Sequence, residues 1–156
     1  MVFNALYTSN SEEWETPQWL FDKLNAKFKF TLDVCATKEN AKCVKYYDKN
    51  IDGLKQSWLN EICWLNPPYG KTIALWMEKA YTTRLNCGTV VALVPVRTDT
   101  KWGYDYCVNT DVWLLKGRLH FSNSKNPAPF PSAIVIFTSY NIFHGEYFNV
   151  DLKLEM

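Results

Sequence analysis

The chain has 156 residues, which suits one domain, spanning 1–156, with one core. At 47% hydrophobic, 21% charged and a formal net charge of +1, it is too apolar to be disordered and lacks the basic excess of many nucleic-acid binders, although a local patch fits within a neutral total. Five cysteines, at 35, 43, 63, 87 and 107, form no CxxC pair, which argues against a zinc site or a disulfide framework and for a reduced intracellular protein.

The opening "MVFNALYTSNSEEWETP" has neither a basic start nor a long apolar segment, so no signal peptide is expected. Residues 1–13 are polar-rich and read as irregular. Thr16 and Pro17 predict a helix start, with Thr16 as cap and Pro17 in the first turn, where its missing N–H costs nothing. Leu20, Phe21, Leu24 and Phe28 follow at helical spacing. "FKFTLDV" alternates apolar and polar residues and predicts a strand ending near Asp33. Residues 36–50 are lysine-rich and predict a short helix. "EICWLN" predicts a buried strand, and Ile73, Trp76, Met77, Ala80, Tyr81 and Leu85 mark an amphipathic helix. "TVVALVPV" predicts a strand covered on both faces, and it is too short to span a bilayer, so no membrane partner is expected and the protein is placed in the cytoplasm. "DVWLLK", "RLHF", "AIVIF" and the tail "YFNVDLKLEM" complete the predicted strands. This order predicts an α/β sheet, mainly parallel, with antiparallel strands at the C-terminal end. Ligands of such sheets sit beyond the carboxyl ends of the strands, so Asp33, Asn66 and the segment 95–98 should share one edge.

One of those strand ends carries "NPPY", Asn66 to Tyr69. Asn66 offers an amide oxygen, and Pro67 leaves its carbonyl free because Pro68 has no N–H with which to close a turn. The two prolines, and their effect on the residues before them, stiffen this pair of acceptors. Two fixed acceptors suit the two N–H donors of an exocyclic amine, and an aromatic face beside them suits a base. Such a site works by positioning and electrostatics, without a covalent step by the protein. The plain alternative is a proline-rich turn after a strand.

The tetrapeptide resembles the signature of amino-methyltransferases, in which Asp, Asn or Ser precedes Pro-Pro and an aromatic. "WETPQWLFDKLN" resembles the Thr-Pro helix start of such enzymes, "TLDVCATKEN" their first cofactor motif, and "YYDKNIDGL" supplies further acids. With "VALVPVRTDTKW", "LLKGRLHF" and "APFPSAIVIF", the chain is similar nearly end to end to the phage-type DNA adenine-N6 methyltransferases, the Dam-like family. The resemblance implies a Rossmann-like fold that uses S-adenosylmethionine to methylate the 6-amino group of adenine in DNA, flipped out of the duplex. It implies a catalytic set of Asn66, Pro67, Pro68 and Tyr69, with Tyr69 stacking on the base. It implies a cofactor set of Thr16, Pro17, Asp33, Cys35, Ala36, Asp48, Asp52 and Asn66, and no metal. Thr37, Lys38 and Glu39 depart from the commoner glycine-rich form. Asp48 and Asp52 read equally as ligands and as solvated turn residues, without a decision on which would meet the ribose and which the cofactor adenine. Trp14 reads as packing, and His120 as a surface or core histidine with no proton to transfer.

DNA contacts are expected from polar loops beyond the sheet edge, at Arg97, Lys101, Arg118 and Lys125, with Lys116 and Trp102 nearby; Arg97 reads equally as a structural partner of an acid. There is no room for a large recognition domain, so recognition is brief or uses a second subunit. Methylation of the cytosine 4-amino group or of a glutamine side chain also fits NPPY, and a DNA-binding relative without turnover is the reading from another class.

Overall fold

In a computed structural model of the chain, residues 13–107 and 110–139 are described. Two helices, α1 (Gln18–Phe28) and α2 (Ile73–Leu85), pack on a five-stranded sheet made of β1 (Leu32–Asp33), β2 (Ile62–Leu65), β3 (Thr89–Pro95), β4 (Asp111–Leu114) and β5 (Ser132–Phe137). The strand order is β1-β2-β3-β5-β4. β1 pairs with β2 and β2 with β3 in parallel, while β5 runs antiparallel to both β3 and β4. The expected α/β sheet is therefore present, with one correction: among the described residues a single strand, β5, is reversed.

β3 is buried along nearly its whole length and sits in the middle of the sheet. Its side chains alternate between two cores. Val90, Ala92 and Val94 pack with Trp76, Met77 and Ala80 of α2. Val91 and Leu93 pack with Trp64 and with Leu20, Phe21 and Leu24 of α1. This two-sided burial is what the continuous apolar run demands.

Local chemistry moved several expected boundaries. Pro17, not Thr16, is the N-cap of α1, and its carbonyl accepts from the N–H groups of Leu20 and Phe21. α1 ends where Lys29 turns left-handed at φ 59°, and the Asn25 side chain caps the N–H of Phe30. The strand predicted from Phe28 thus shrinks to Leu32–Asp33. The alternating Phe28 and Phe30 serve an aromatic cluster with Phe21, Trp64 and Trp113 instead. The short helix expected within 36–50 is a series of turns. Thr37 and Asn40 bond each other's backbone N–H through their side chains, an arrangement that competes with helix. "RLHF" is not a strand but part of the loop between β4 and β5, anchored by buried Leu119 and Phe121. The predicted strand in "YFNVDLKLEM" lies outside the described residues.

The parallel register fixes where the site falls. Asp33 ends β1 opposite Trp64, Asn66 follows β2, and the start of β5 lies opposite the end of β3. The three strand ends share one edge, as the element order predicted.

Candidate active site

A cleft opens at this edge. It is lined from the β1 side by Asp33, Cys35, Ala36, Asp48 and Asp52, and from the other by Thr16, Asn66, Pro67 and Pro68. Of the residues expected to hold a cofactor, only Pro17 is not in the lining; it is buried behind it as the cap of α1.

Asp33 is 2% exposed, and both its oxygens are engaged. Oδ1 accepts from the Cys35 N–H at 3.3 Å and Oδ2 from the Lys42 N–H at 3.0 Å. Burial raises its pKa from 3.8 to about 6, against the lowering effect of those two bonds. Asp48 accepts from the N–H groups of Asn50 and Ile51 through Oδ1. Asp52 accepts from Leu54 N–H and faces the Lys55 ammonium at 3.5 Å. The acids therefore shape their own turns while facing the cleft, so the turn role posed for Asp48 and Asp52 is present and their position leaves them open to a ligand. The Asp52 turn also needs Gly53, where a Cβ would come within 2.1 Å of the Val34 carbonyl oxygen.

On the β2 side, Asn66 Nδ2 donates to the Trp14 carbonyl. Asn66 Oδ1 is buried and has no hydrogen-bond partner among the described residues. Nor does any described group donate to the Pro67 carbonyl. A buried unpaired oxygen is rare in a folded protein and asks for a reason. Here it supplies the acceptor that an amine bound in the cleft would need.

Tyr69 does not line the cleft. Its ring meets Phe130 at 5.6 Å and Phe121 at 6.2 Å, both edge-on, and its hydroxyl donates to the Leu93 carbonyl at 3.0 Å. Burial pushes its phenol well above the ordinary value. Trp14 closes this group, with Phe121 and Phe130 each at 5.2 Å. Trp14 is thus packing, as expected, but its carbonyl also orients the Asn66 amide.

The expected DNA residues are not gathered at the cleft. Arg97 forms a two-pronged pair with Asp99, and Lys101 pairs with Asp105. Arg118 and Lys125 are exposed on the loop between β4 and β5. Trp102 is buried in the core beside α2 and is unavailable to DNA. His120 is exposed and bonds the Ser124 carbonyl.

Sequence reasoning missed Glu13, Glu15, Lys42, Lys49, Trp64 and Trp76 in the cleft wall. Neither spacing nor residue type marks them, because they come from separate segments. In all, five carboxylates and two lysines line the cleft, together with three indoles, at Trp14, Trp64 and Trp76. That set suits a ligand with cationic groups and a flat ring. No helix among the described residues is long and apolar enough to cross a membrane.

The family model described as "DNA N-6-adenine-methyltransferase (Dam)" matches residues 4–142. The chain is 32% identical over 122 residues to a DNA N-6-adenine-methyltransferase of Haemophilus phage HP1, an alignment covering 75% of this chain and 70% of the relative. It is also 32% identical over 91 residues to a protein of the same description from Escherichia phage T1, covering 57% of this chain and 38% of that relative.

Proposed function

The chain belongs to the DNA N-6-adenine-methyltransferase (Dam) family, and from that premise we propose that it transfers a methyl group from S-adenosylmethionine to the exocyclic 6-amino group of adenine in DNA. The proposal includes a Rossmann-like fold acting as one domain over residues 1–156, in the cytoplasm where DNA and cofactor meet. The observation that carries it is the buried, unpaired Oδ1 of Asn66 at the edge of a cleft rich in carboxylates.

The lining fits the cofactor. Asp33, with Cys35 and Ala36 in the turn beyond it, would face its ammonium group. Asp48 and Asp52 would receive the ribose hydroxyls and the cofactor adenine, and Trp76 and Trp64 offer flat walls. Thr16 and the start of α1 at Pro17 lie where a carboxylate gains from free N–H groups. When bound, S-adenosylmethionine supplies a methyl group on a positively charged sulfur.

The chain's own work is on the amine. Asn66 Oδ1 and the Pro67 carbonyl would accept its two N–H bonds, holding the nitrogen in place with its lone pair free. Pro68 keeps the Pro67 carbonyl free, and Tyr69, packed on Phe121 and Phe130 outside the cleft, would meet the base only by turning toward it. On taking up the methyl group the amine nitrogen would gain positive charge, beside two fixed dipoles that favour it there. The extra proton is then lost to solvent, so no side-chain base is required. A base inside a duplex cannot reach these acceptors, so the adenine is flipped out. Arg97, Lys101, Arg118 and Lys125 remain the candidates for phosphate contacts, and a second subunit would extend that surface.

Mass spectrometry of nucleosides from DNA treated with protein and cofactor tests the reading. 6-Methyladenine is the expected product; 4-methylcytosine, or no methylated base at all, overturns it.

A further inference from the structure

The segment Glu13–Thr16 is a strap between two parts of the molecule, and its polar groups point two ways. Towards the loop between β4 and β5, the Glu15 N–H donates to Asn123 Oδ1 at 2.9 Å, and Asn123 Nδ2 donates to the Glu13 carbonyl at 3.0 Å. Beside them, the Ser122 N–H donates to the Glu15 carbonyl at 2.9 Å. In the other direction, the carbonyl of Trp14, the residue between, accepts from Asn66 Nδ2. Asn123 is more than a hundred residues away in sequence, yet its one amide bridges both neighbours of Trp14.

The two ends of an amide have nearly the same shape, and only hydrogen-bond partners decide which way it faces. A carbonyl can accept from Nδ2 and has nothing to give Oδ1, so a fixed Trp14 carbonyl sets the Asn66 amide with its oxygen left over. If the strap shifts, the amide is free to turn over and offer N–H to an amine that also brings N–H. We propose that Asn123 is a positioning residue for the methyl transfer: by clamping Glu13 and Glu15 it fixes the Trp14 carbonyl, and through it the direction in which Asn66 Oδ1 faces. This rests on the methyltransferase reading of Asn66. It also ties the loop that carries Arg118 and Lys125 to the catalytic amide, a second consequence of the same bonds.

Single-turnover rates with saturating S-adenosylmethionine, on genomic DNA free of 6-methyladenine, test this with Asn123→Ala, Asn66→Ala and the double variant. Losing the clamp should slow Asn123→Ala roughly tenfold, the scale of one or two neutral hydrogen bonds. Asn123→Asp should recover part of the rate, since its carboxylate still accepts from the Glu15 N–H. The double variant should be no slower than Asn66→Ala alone, because the clamp acts only through that amide. Losses that multiply in the double variant, or a wild-type rate for Asn123→Ala, overturn the proposal. If Asn123→Ala does not fold, Asn123→Asp takes its place in the same cycle. A wild-type rate for Asn66→Ala is a different result: it removes the reading of Asn66 itself.

Discussion

The two walls of the cleft treat their polar groups in opposite ways. On the β1 side, Asp33, Asp48 and Asp52 each accept backbone N–H groups from their own turns. On the β2 side, Asn66 has one end of its amide tied to Trp14 and the other buried without a partner. The first arrangement would be useful in a protein that bound nothing, since it pins the loops that follow β1. The second would not: a buried acceptor left unpaired costs on the order of 1–3 kcal/mol. Folding explains the acids as well as ligand binding does, but it offers no reason for the bare oxygen of Asn66. On the proposed reading, one wall supplies shape and charge and the other the reacting contact.

The sharpest way to break that contrast is Asn66→Ala. Removing a positioned acceptor at a reacting atom typically costs on the order of 10²–10³ in rate, and cofactor affinity measured by calorimetry should barely move. Asn66→Asp should fall between, because a carboxylate still accepts from the amine but sets an oxygen against the Trp14 carbonyl. A large loss of cofactor affinity in Asn66→Ala would mean that the two walls are not separate.

Tyr69 gives the next largest effect. If its ring contributes to holding the base, Tyr69→Ala should lose the roughly 1–3 kcal/mol of a base–aromatic contact, about 5- to 150-fold in rate. Tyr69→Phe keeps the ring and loses only the bond to the Leu93 carbonyl. Its rate should stay near wild type while its melting temperature drops by about 2–4 °C. A Phe variant as slow as the Ala variant would give the chemical role to the hydroxyl.

The smallest effect belongs to the acidic wall. Burial holds the Asp33 carboxyl to about 6, above its ordinary 3.8. Its folded form keeps the proton to higher pH than the unfolded form. Its contribution to stability therefore falls as pH rises from 3.8 to about 6, and a bound cation restores it. Cofactor affinity should accordingly weaken as pH drops below about 6, by at most tenfold per pH unit. In Asp33→Asn that dependence should disappear. Calorimetric titrations from about pH 5 to about pH 7.5 on both proteins would show it, and equal slopes would place the cofactor's ammonium away from Asp33.

The sequence by itself determined the central sheet and both helices, because burial on two faces leaves a continuous apolar run in β3 and burial on one face leaves the spacing of α2. It determined NPPY as well, since proline stiffness and the lack of a donor are properties of the residues wherever they fold. It was misleading where side chains bond locally: the Thr37–Asn40 pair replaced a helix with turns, and the left-handed Lys29 cut the strand short. Only the tertiary structure decided the rest of the site. Glu13, Trp64 and Trp76 meet in the cleft because β1 and β2 pair in parallel, and Tyr69 turned inward because Phe121 and Phe130 met it. The orientation of the Asn66 amide depends on the Trp14 carbonyl, a backbone group that every residue carries and that no sequence can mark.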